Sequence, residues 1–344
     1  MCKDKELKKN LISVVMSNYN TPIEYLKESI DSVLDQTYSN FEFIIIDDGS
    51  TDDSLEFIKS YDDPRIKLIV NEENIGLTKS LNKGFELAQG EYIARMDSDD
   101  VCYPNRFEKQ LKYMKHHSDT IVCGAWAKTL DEKNNSTIEE WACGAINDME
   151  EYRINLLFNN YPSLFHSSAF FNNSLLTKYG IKYNEKYTYA QDYEMWTQCS
   201  KHANCFIIKE ILIKYRFHNT SISQTKGNLQ KECVFGIVQD QLDYLHLVLP
   251  ADVKESHIVF PSKHAKYNAE FKKWIKTIIK ANRRYRVYNH KILKRLLWYY
   301  WSKVCYVEFS HYSASKKLFL IATLSPRCIM NLFRIKKYYI DKYK

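Results

Sequence analysis

The sequence predicts an α/β fold, a mostly parallel sheet flanked by helices, with a basic helical region after it. Short apolar runs alternate with amphipathic stretches over residues 11–125, and polar residues cluster where the apolar runs end. After Thr225 the pattern changes to long helical stretches with few glycines. The chain has 344 residues, 45% of them hydrophobic and 14% aromatic, ample material for packed cores. That length fits about two domains, which we place at 1–225 and 226–344.

Taken in order, strands are expected at 11–16 (LISVVM), 41–47 (FEFIIID), 65–70 (RIKLIV), 91–97 (EYIARMD) and 120–125 (TIVCGA). Each run is short, rich in β-branched or aromatic side chains, and followed by a polar turn. Helices are expected over 23–35, 52–61, 77–88 and 104–117, where Leu77, Leu81 and Phe85 show helical spacing. Ser50-Thr51 reads as the cap of the second helix, and Pro104 as a first-turn residue of the fourth. Further on come a polar segment at 131–137, a helix near 148–158, a strand at 167–171, a helix at 192–203 and one or two strands over 207–218. Pro250 and Pro261 mark a break at 250–262.

The nine cysteines are odd in number and none is spaced CxxC, which argues against a disulfide framework or a structural zinc site and for a reducing cytosol. LISVVM is too short for a signal peptide, and no apolar run approaches the ~18 residues of a membrane-spanning helix. GxGxxG after the first strand, GxxxxGK[ST], HExxH and GxSxG are all missing, which disfavours classical dinucleotide, P-loop, zincin and serine-hydrolase readings.

In open α/β sheets, ligands bind at the carboxyl ends of the strands. Asn18-Tyr19-Asn20, Asp47-Asp48-Gly49-Ser50 and Asp97-Ser98-Asp99-Asp100 all fall there. Carboxylates crowded into Asp97-Ser98-Asp99-Asp100 repel one another unless a cation or solvent compensates. Oxygen ligands suit Mg²⁺ or Mn²⁺ bridging a diphosphate, and position at a strand end favours that over a solvated turn. Asp48 can accept from a nucleobase or a ribose hydroxyl. Lys79 can neutralise phosphate or lie on a solvated face. Asp192, at a helix start between aromatics, is either a catalytic base or a helix cap.

Together SVVMSNYN, IDSVLDQTYSNFEFIIIDDGSTDDS, DPRIKLIVNEENIGLTKSLNKGFELAQGEYIARMDSDD, PNRFEKQL and YAQDYEMW resemble family 2 glycosyltransferases, across about 1–225. That is the inverting group with the GT-A fold that builds bacterial surface polysaccharides such as capsule. The resemblance implies that Asn20 and Asp48 line the nucleoside pocket and that Lys79 stands near the nucleotide. It implies that Asp97, with Ser98, meets the ribose or metal shell and that Asp99 holds the Mn²⁺ or Mg²⁺. Asp192 matches the catalytic aspartate, while His166 and His218 match positions near the diphosphate. The donor expected is a UDP-sugar, the acceptor a saccharide or lipid-linked saccharide. Gln191 stands where the family commonly has an acid. The rival readings are a sugar nucleotidyltransferase and a non-catalytic nucleotide-binding protein at a membrane surface.

Residues 263–344 carry 21 Lys or Arg against three acids, a balance of +18, while 1–262 carry 28 against 39, a balance of −11. Phe271, Trp274, Ile275, Ile278 and Ile279 alternate with lysines, and Trp298 to Trp301 sit among basic residues. Such helices suit an anionic membrane surface, a bundle or homodimer contact, or, as a third choice, nucleic acid. The expected place is the cytoplasm, peripheral on the inner face of the membrane.

Overall fold

The computed structural model describes residues 6–131, 136–141, 145–161, 164–217, 227–259 and 269–310. The chain divides into two compact units: Met1–Asn147 with Pro162–Cys233, and Asp148–Tyr161 with Val234–Lys344.

The first unit is built on one mixed sheet. Its strands are β1 (Lys8–Asn18), β2 (Phe41–Asp47), β3 (Ile66–Val70), β4 (Gly90–Asp97), β5 (Val101–Cys102), β6 (Thr120–Asp131), β7 (Ser136–Trp141), β8 (Phe170–Asn172) and β9 (Asn204–Phe217). They lie in the order β3-β2-β1-β4-β8-β6-β9-β5, with β7 paired to β6. The β3-β2-β1-β4 half is parallel, as a chain alternating strand and helix must be when each crossover is helical. Every residue of β2 is buried, the mark of a central strand covered on both faces. Gly90 starts β4 because a Cβ there would lie 2.5 Å from the Leu11 carbonyl oxygen, so only glycine lets β4 pair with β1.

The helices of this unit are α1 (Ile23–Leu34), α2 (Ser54–Lys59), α3 (Leu77–Leu87), α4 (Arg106–His116), α6 (Asn173–Tyr179) and α7 (Gln191–His202). Two expected starts differ. Asp53, not Ser50, precedes α2, and Pro104 lies ahead of α4, whose flanking residue is Asn105. The segment 207–218 belongs to one long strand, β9, through Phe217.

The second unit is helical: α5 (Met149–Leu157), α8 (Gly227–Asp243, from Val234 on), α9 (Lys254–Val259), α10 (Ala269–Tyr285) and α11 (His290–Ser310). Ile154, Leu157 and Phe158 from the α5 segment pack with Val238, Leu242, Ile275, Ile278, Leu297 and Trp301 in one core. Residues 148–161 therefore belong here although the chain then returns to the sheet. The apolar faces of α10 and α11 line this core: Phe271, Trp274, Ile275, Ile278 and Trp301 are all buried. Among the described residues no helix is long and apolar enough to cross a membrane.

His257 is the polar centre of that core. Its Nε2 lies 2.8 Å from the Leu157 carbonyl and donates to it, while Nδ1 accepts from Trp274 Nε1 at 3.0 Å. This arrangement needs the neutral ring, and burial pushes the His257 pKa down to about 4. The unfolded chain binds that proton near pH 6.5 and the folded one only near 4, so stability is intact above about 6.5 and falls as pH drops through this window. The loss expected is on the order of 3 kcal/mol. Melting of the wild type and of His257→Gln at pH 7.5 and 4.5 checks this: the wild type loses much more stability than the variant, and equal losses would contradict the assignment.

Candidate active site

The parallel strands end on one rim. The register pairs Asn18 with Asp47 and Ser17 with Asp97, so the polar residues at the ends of β1, β2 and β4 are neighbours. Fully buried Asn18 shares its two Nδ2 protons among Asp47 Oδ1 (2.9 Å), Ser50 Oγ (3.1 Å) and Ser54 Oγ (3.0 Å). Ser50 is thereby drawn away from helix capping: its Oγ and N donate to the two oxygens of Asp47 at 2.7 and 3.0 Å. Asn20, with a left-handed φ of 50°, clasps the same loop, accepting from Thr51 N at 2.8 Å and donating to Thr51 Oγ1 at 3.2 Å.

Asp48 is a loop organiser. Its Oδ1 accepts from Asn71 Nδ2 (2.8 Å), Ile75 N (3.0 Å) and Ser80 Oγ (2.8 Å), and its Oδ2 from Gly76 N (2.9 Å). The segment 71–76 is thus wrapped around a single carboxylate. Gly49 makes the approach feasible, with a φ of 70° and a Cβ position only 2.5 Å from the Glu73 carbonyl carbon. Lys79 is exposed in the first turn of α3, next to Ser80. One turn on, Lys83 Nζ donates to Asn71 Oδ1 at 2.7 Å.

At the end of β4, Arg95, 1% exposed, grips both oxygens of Asp97. Its Nη1 also donates to Ser167 Oγ at 3.1 Å. Ser167 arrives because the antiparallel β8 begins where β4 ends, with Ala94 opposite Phe170, so the turn His166–Ser168 sits on the rim. Ser167 Oγ contacts both Asp97 Oδ2 (2.6 Å) and Asp100 Oδ2. A hydroxyl has one proton to give. Burial, reinforced by the charges of Asp99 and Asp97, pushes Asp100 well above the usual carboxylate range. Ser167 thus bridges two carboxylates, of which Asp100 holds its proton the more tightly. Burial is the largest influence on Asp97 and opposes its ionisation, but Arg95, His166 and Ser167 together outweigh it and hold the carboxyl below the ordinary value.

β9 closes the cluster from the other side. Val101 pairs with Lys214, which brings Arg216 over the acidic turn. Arg216 N donates to Asp100 Oδ1 at 2.8 Å and Nε to the Asp99 carbonyl at 2.9 Å, while its guanidinium covers the Tyr25 ring at 4.2 Å. Ser98 shares a hydrogen bond with Thr21 at 2.7 Å, tying the same turn to the loop after β1. Carboxylate oxygens of Asp97, Asp99 and Asp100 lie within 4.8 Å of one another. Hard oxygen donors this close fit a divalent cation of the Mg²⁺ or Mn²⁺ type.

Asp192 sits in the first turn of α7. The residue ahead of that helix is Ala190, so Asp192 is not a cap. Desolvation pushes its carboxyl up, and Arg95 and Asp97 are among the groups that act on it electrostatically. Trp196 pins α7 to the sheet by stacking on Phe171 (6.0 Å, 19°) and meets the His166 ring at 6.3 Å. His166 Nε2 and Tyr183 Oη are 2.8 Å apart, and burial pushes the imidazole well below its usual value, so the ring is neutral. The neighbouring Gln191 is buried, and its side-chain Oε1 has no hydrogen-bond partner among the described residues.

Asp97, Ser98, Asp99 and His166 thus share one rim with Asn20 and Asp48 on the adjoining loops, and Asp192 feels the charges of that rim. His218 lies outside the described residues. Arg95, Ser167 and Arg216 were not among the residues expected from the sequence. Arg95 carries a signal, since a charged residue in a buried strand needs a partner. Ser167 carries none, being 70 residues from Asp97 in the chain.

Residues 13–180 match the model of glycosyl transferase family 2. An uncharacterized glycosyltransferase of Methanocaldococcus jannaschii is 39% identical over 221 residues, covering 62% of this chain and 73% of that protein. A second, from Haemophilus influenzae, is 32% identical over 254 residues, covering 71% of this chain and 77% of its own length. Among solved structures, S. aureus TarS 1–349 in complex with UDP-GlcNAc superposes with a TM-score of 0.56 at 18% identity, over 87% of this chain and 91% of that one, a likeness of GT-A fold. The chain belongs to glycosyl transferase family 2.

Proposed function

We propose that this nucleotide-sugar glycosyltransferase is an inverting enzyme that needs a divalent metal. It moves a sugar from a UDP-sugar to a saccharide or lipid-linked saccharide in the synthesis of surface polysaccharide. The observation that carries the reading is the convergence of Asp97, Asp99 and Asp100 on the rim that also holds the desolvated Asp192 within its electrostatic reach. TarS, solved with UDP-GlcNAc and with UDP, supports a uridine donor.

Asp99 and Asp100 would hold Mn²⁺ or Mg²⁺, with Asp97 kept in place by Arg95. When bound, the ion supplies Lewis-acid stabilisation of diphosphate oxygens. Asn20 and Asp48 shape the nucleoside pocket: Oδ2 of Asp48, with a single donor, has a lone pair left for a ligand. Lys79 faces solvent on the helix that Asp48 fixes, where it can meet phosphate. Asp192 takes the proton of an acceptor hydroxyl while that oxygen bonds to the anomeric carbon and the bond to the diphosphate breaks. Nucleoside diphosphate leaves from the opposite face, so the anomeric configuration inverts. Desolvation raises the proton affinity of Asp192 toward neutrality, where a general base works best. The basic C-terminal region would hold the enzyme on the inner face of an anionic membrane, beside a lipid-linked acceptor.

Asp192→Asn is expected to cut transfer by about 10²–10⁴-fold while donor affinity, read by calorimetry, stays close to wild type; near-normal transfer would contradict the base assignment. In the wild type, Asp192 must be ionised to work and its pKa is raised, so the acid-side fall of kcat/KM is expected above the ordinary aspartate range. In Asp99→Ala, the gain in UDP affinity on adding Mn²⁺ is expected to vanish. An unchanged gain would remove Asp99 from the metal site.

A further inference from the structure

Two turns of the second unit hold apolar side chains out in water beside arginines. The first comes directly after α8. It is closed by bonds from Leu245 N (2.8 Å) and Leu247 N (3.2 Å) to the Leu242 carbonyl, and His246 adopts a left-handed φ of 52°. One side chain of α8 clamps the next residues: Gln239 Nε2 donates to the Leu247 carbonyl and Oε1 accepts from Leu249 N, both at 2.9 Å. Val248, between these two anchors, is 78% exposed, and Tyr244 is 57% exposed.

The second turn comes after α10. Buried Asn282 clamps it by donating to the Tyr288 carbonyl (2.9 Å) and accepting from Tyr288 N (2.8 Å), and Arg286 takes a left-handed φ of 56°. Arg283, Arg284, Tyr285 and Arg286 are all exposed. The rings of His246 and Tyr285 meet with centroids 4.3 Å apart, so the two turns form one patch. Both are clamped by a side chain, and both hold a non-glycine residue in a conformation that costs about 1–3 kcal/mol. Single exposed hydrophobic residues need no explanation; three of them held on clamped turns among arginines do.

The chemistry selects the occupant. Guanidinium groups match phosphate oxygens, tyrosine favours the boundary between headgroup and acyl chain, and Val248 gains only from an apolar phase. Nucleic acid would use the arginines and stack on the tyrosines but has nothing to offer Val248. Asp243 is the acid on the first turn, and its carboxylate accepts from Gln239 Nε2 at 2.6 Å. Among the described residues, the apolar faces of α10 and α11 are buried in the core, so the exposed turns and not these faces are open to a surface.

We propose that these two turns are the membrane-contacting surface, with Tyr244, Val248 and Tyr285 seated among the headgroups of an anionic bilayer and Arg283, Arg284 and Arg286 paired to lipid phosphates. This rests on the reading that the basic C-terminal region meets a membrane. Co-sedimentation of the full chain with phosphatidylglycerol-containing vesicles, against pure phosphatidylcholine vesicles, at physiological salt tests it. The wild type is expected to bind only the anionic vesicles. Replacing Arg283, Arg284 and Arg286 together by Ala is expected to weaken binding on the order of 100-fold, and Tyr244→Ser with Val248→Ser roughly tenfold. Unchanged melting and unchanged donor hydrolysis in solution show that the variants fold. Wild-type binding that survives both sets overturns the patch and leaves the membrane reading standing; a wild type that binds no anionic vesicle overturns both.

Discussion

The ion pair between buried Arg95 and half-buried Asp97 is the constraint around which the candidate site is arranged. A guanidinium 1% exposed at the end of a central strand requires a compensating carboxylate. Asp97 supplies it and is thereby fixed in place. Removing Asp97 leaves that guanidinium buried and unpaired, which typically costs about 3–5 kcal/mol. Ser167 then joins Asp97 to Asp100, and Arg216 holds Asp100 and the Asp99 carbonyl from β9. The acidic turn is thus gripped from β4, from the turn before β8 and from β9, three places far apart in the chain. Such a turn offers a preset group of hard oxygen donors, the kind that the proposed cation would take.

The other half of the rim is built by the same means with different residues. Asp47 and Asp48 face opposite loops, Asp47 holding Ser50 and Asn18, Asp48 holding the segment before α3. Asp47 takes one backbone N–H and Asp48 two, donors that an irregular loop otherwise leaves without a partner. The DDGS stretch is therefore scaffold as well as contact surface, and a nucleoside pocket here would have walls set before any ligand arrives.

Much of this was legible in the sequence. The run FEFIIID announces a strand buried on both faces, and the polar residues after the first, second and fourth runs fall on one rim because parallel strands end together. Helix capping at Ser50 was not legible as wrong, since a hydroxyl near a helix start caps unless a closer acceptor exists, and Asp47 becomes that acceptor only in the folded loop. Ser167 and Arg216 were invisible because long-range strand pairing, not spacing, brings them in. The helix at 148–158 was expected, but an amphipathic pattern does not name the core that takes it, and it packs with helices beyond 234. The same ambiguity applies to α10, whose lysine-alternating apolar face reads alike for a membrane and for a protein core and turns out to be core.

On the proposed reading, this rim binds a nucleotide sugar through a cation held by the Asp97–Asp100 turn. The most direct measurement is nucleotide release from a panel of UDP-, GDP-, dTDP- and CMP-sugars, with Mn²⁺ or with chelator, accompanied by calorimetry of the corresponding nucleotides. Metal-dependent release or binding confined to one donor is expected, with the uridine compounds preferred. Absence of both release and binding for every nucleotide in the presence of metal would contradict the claim.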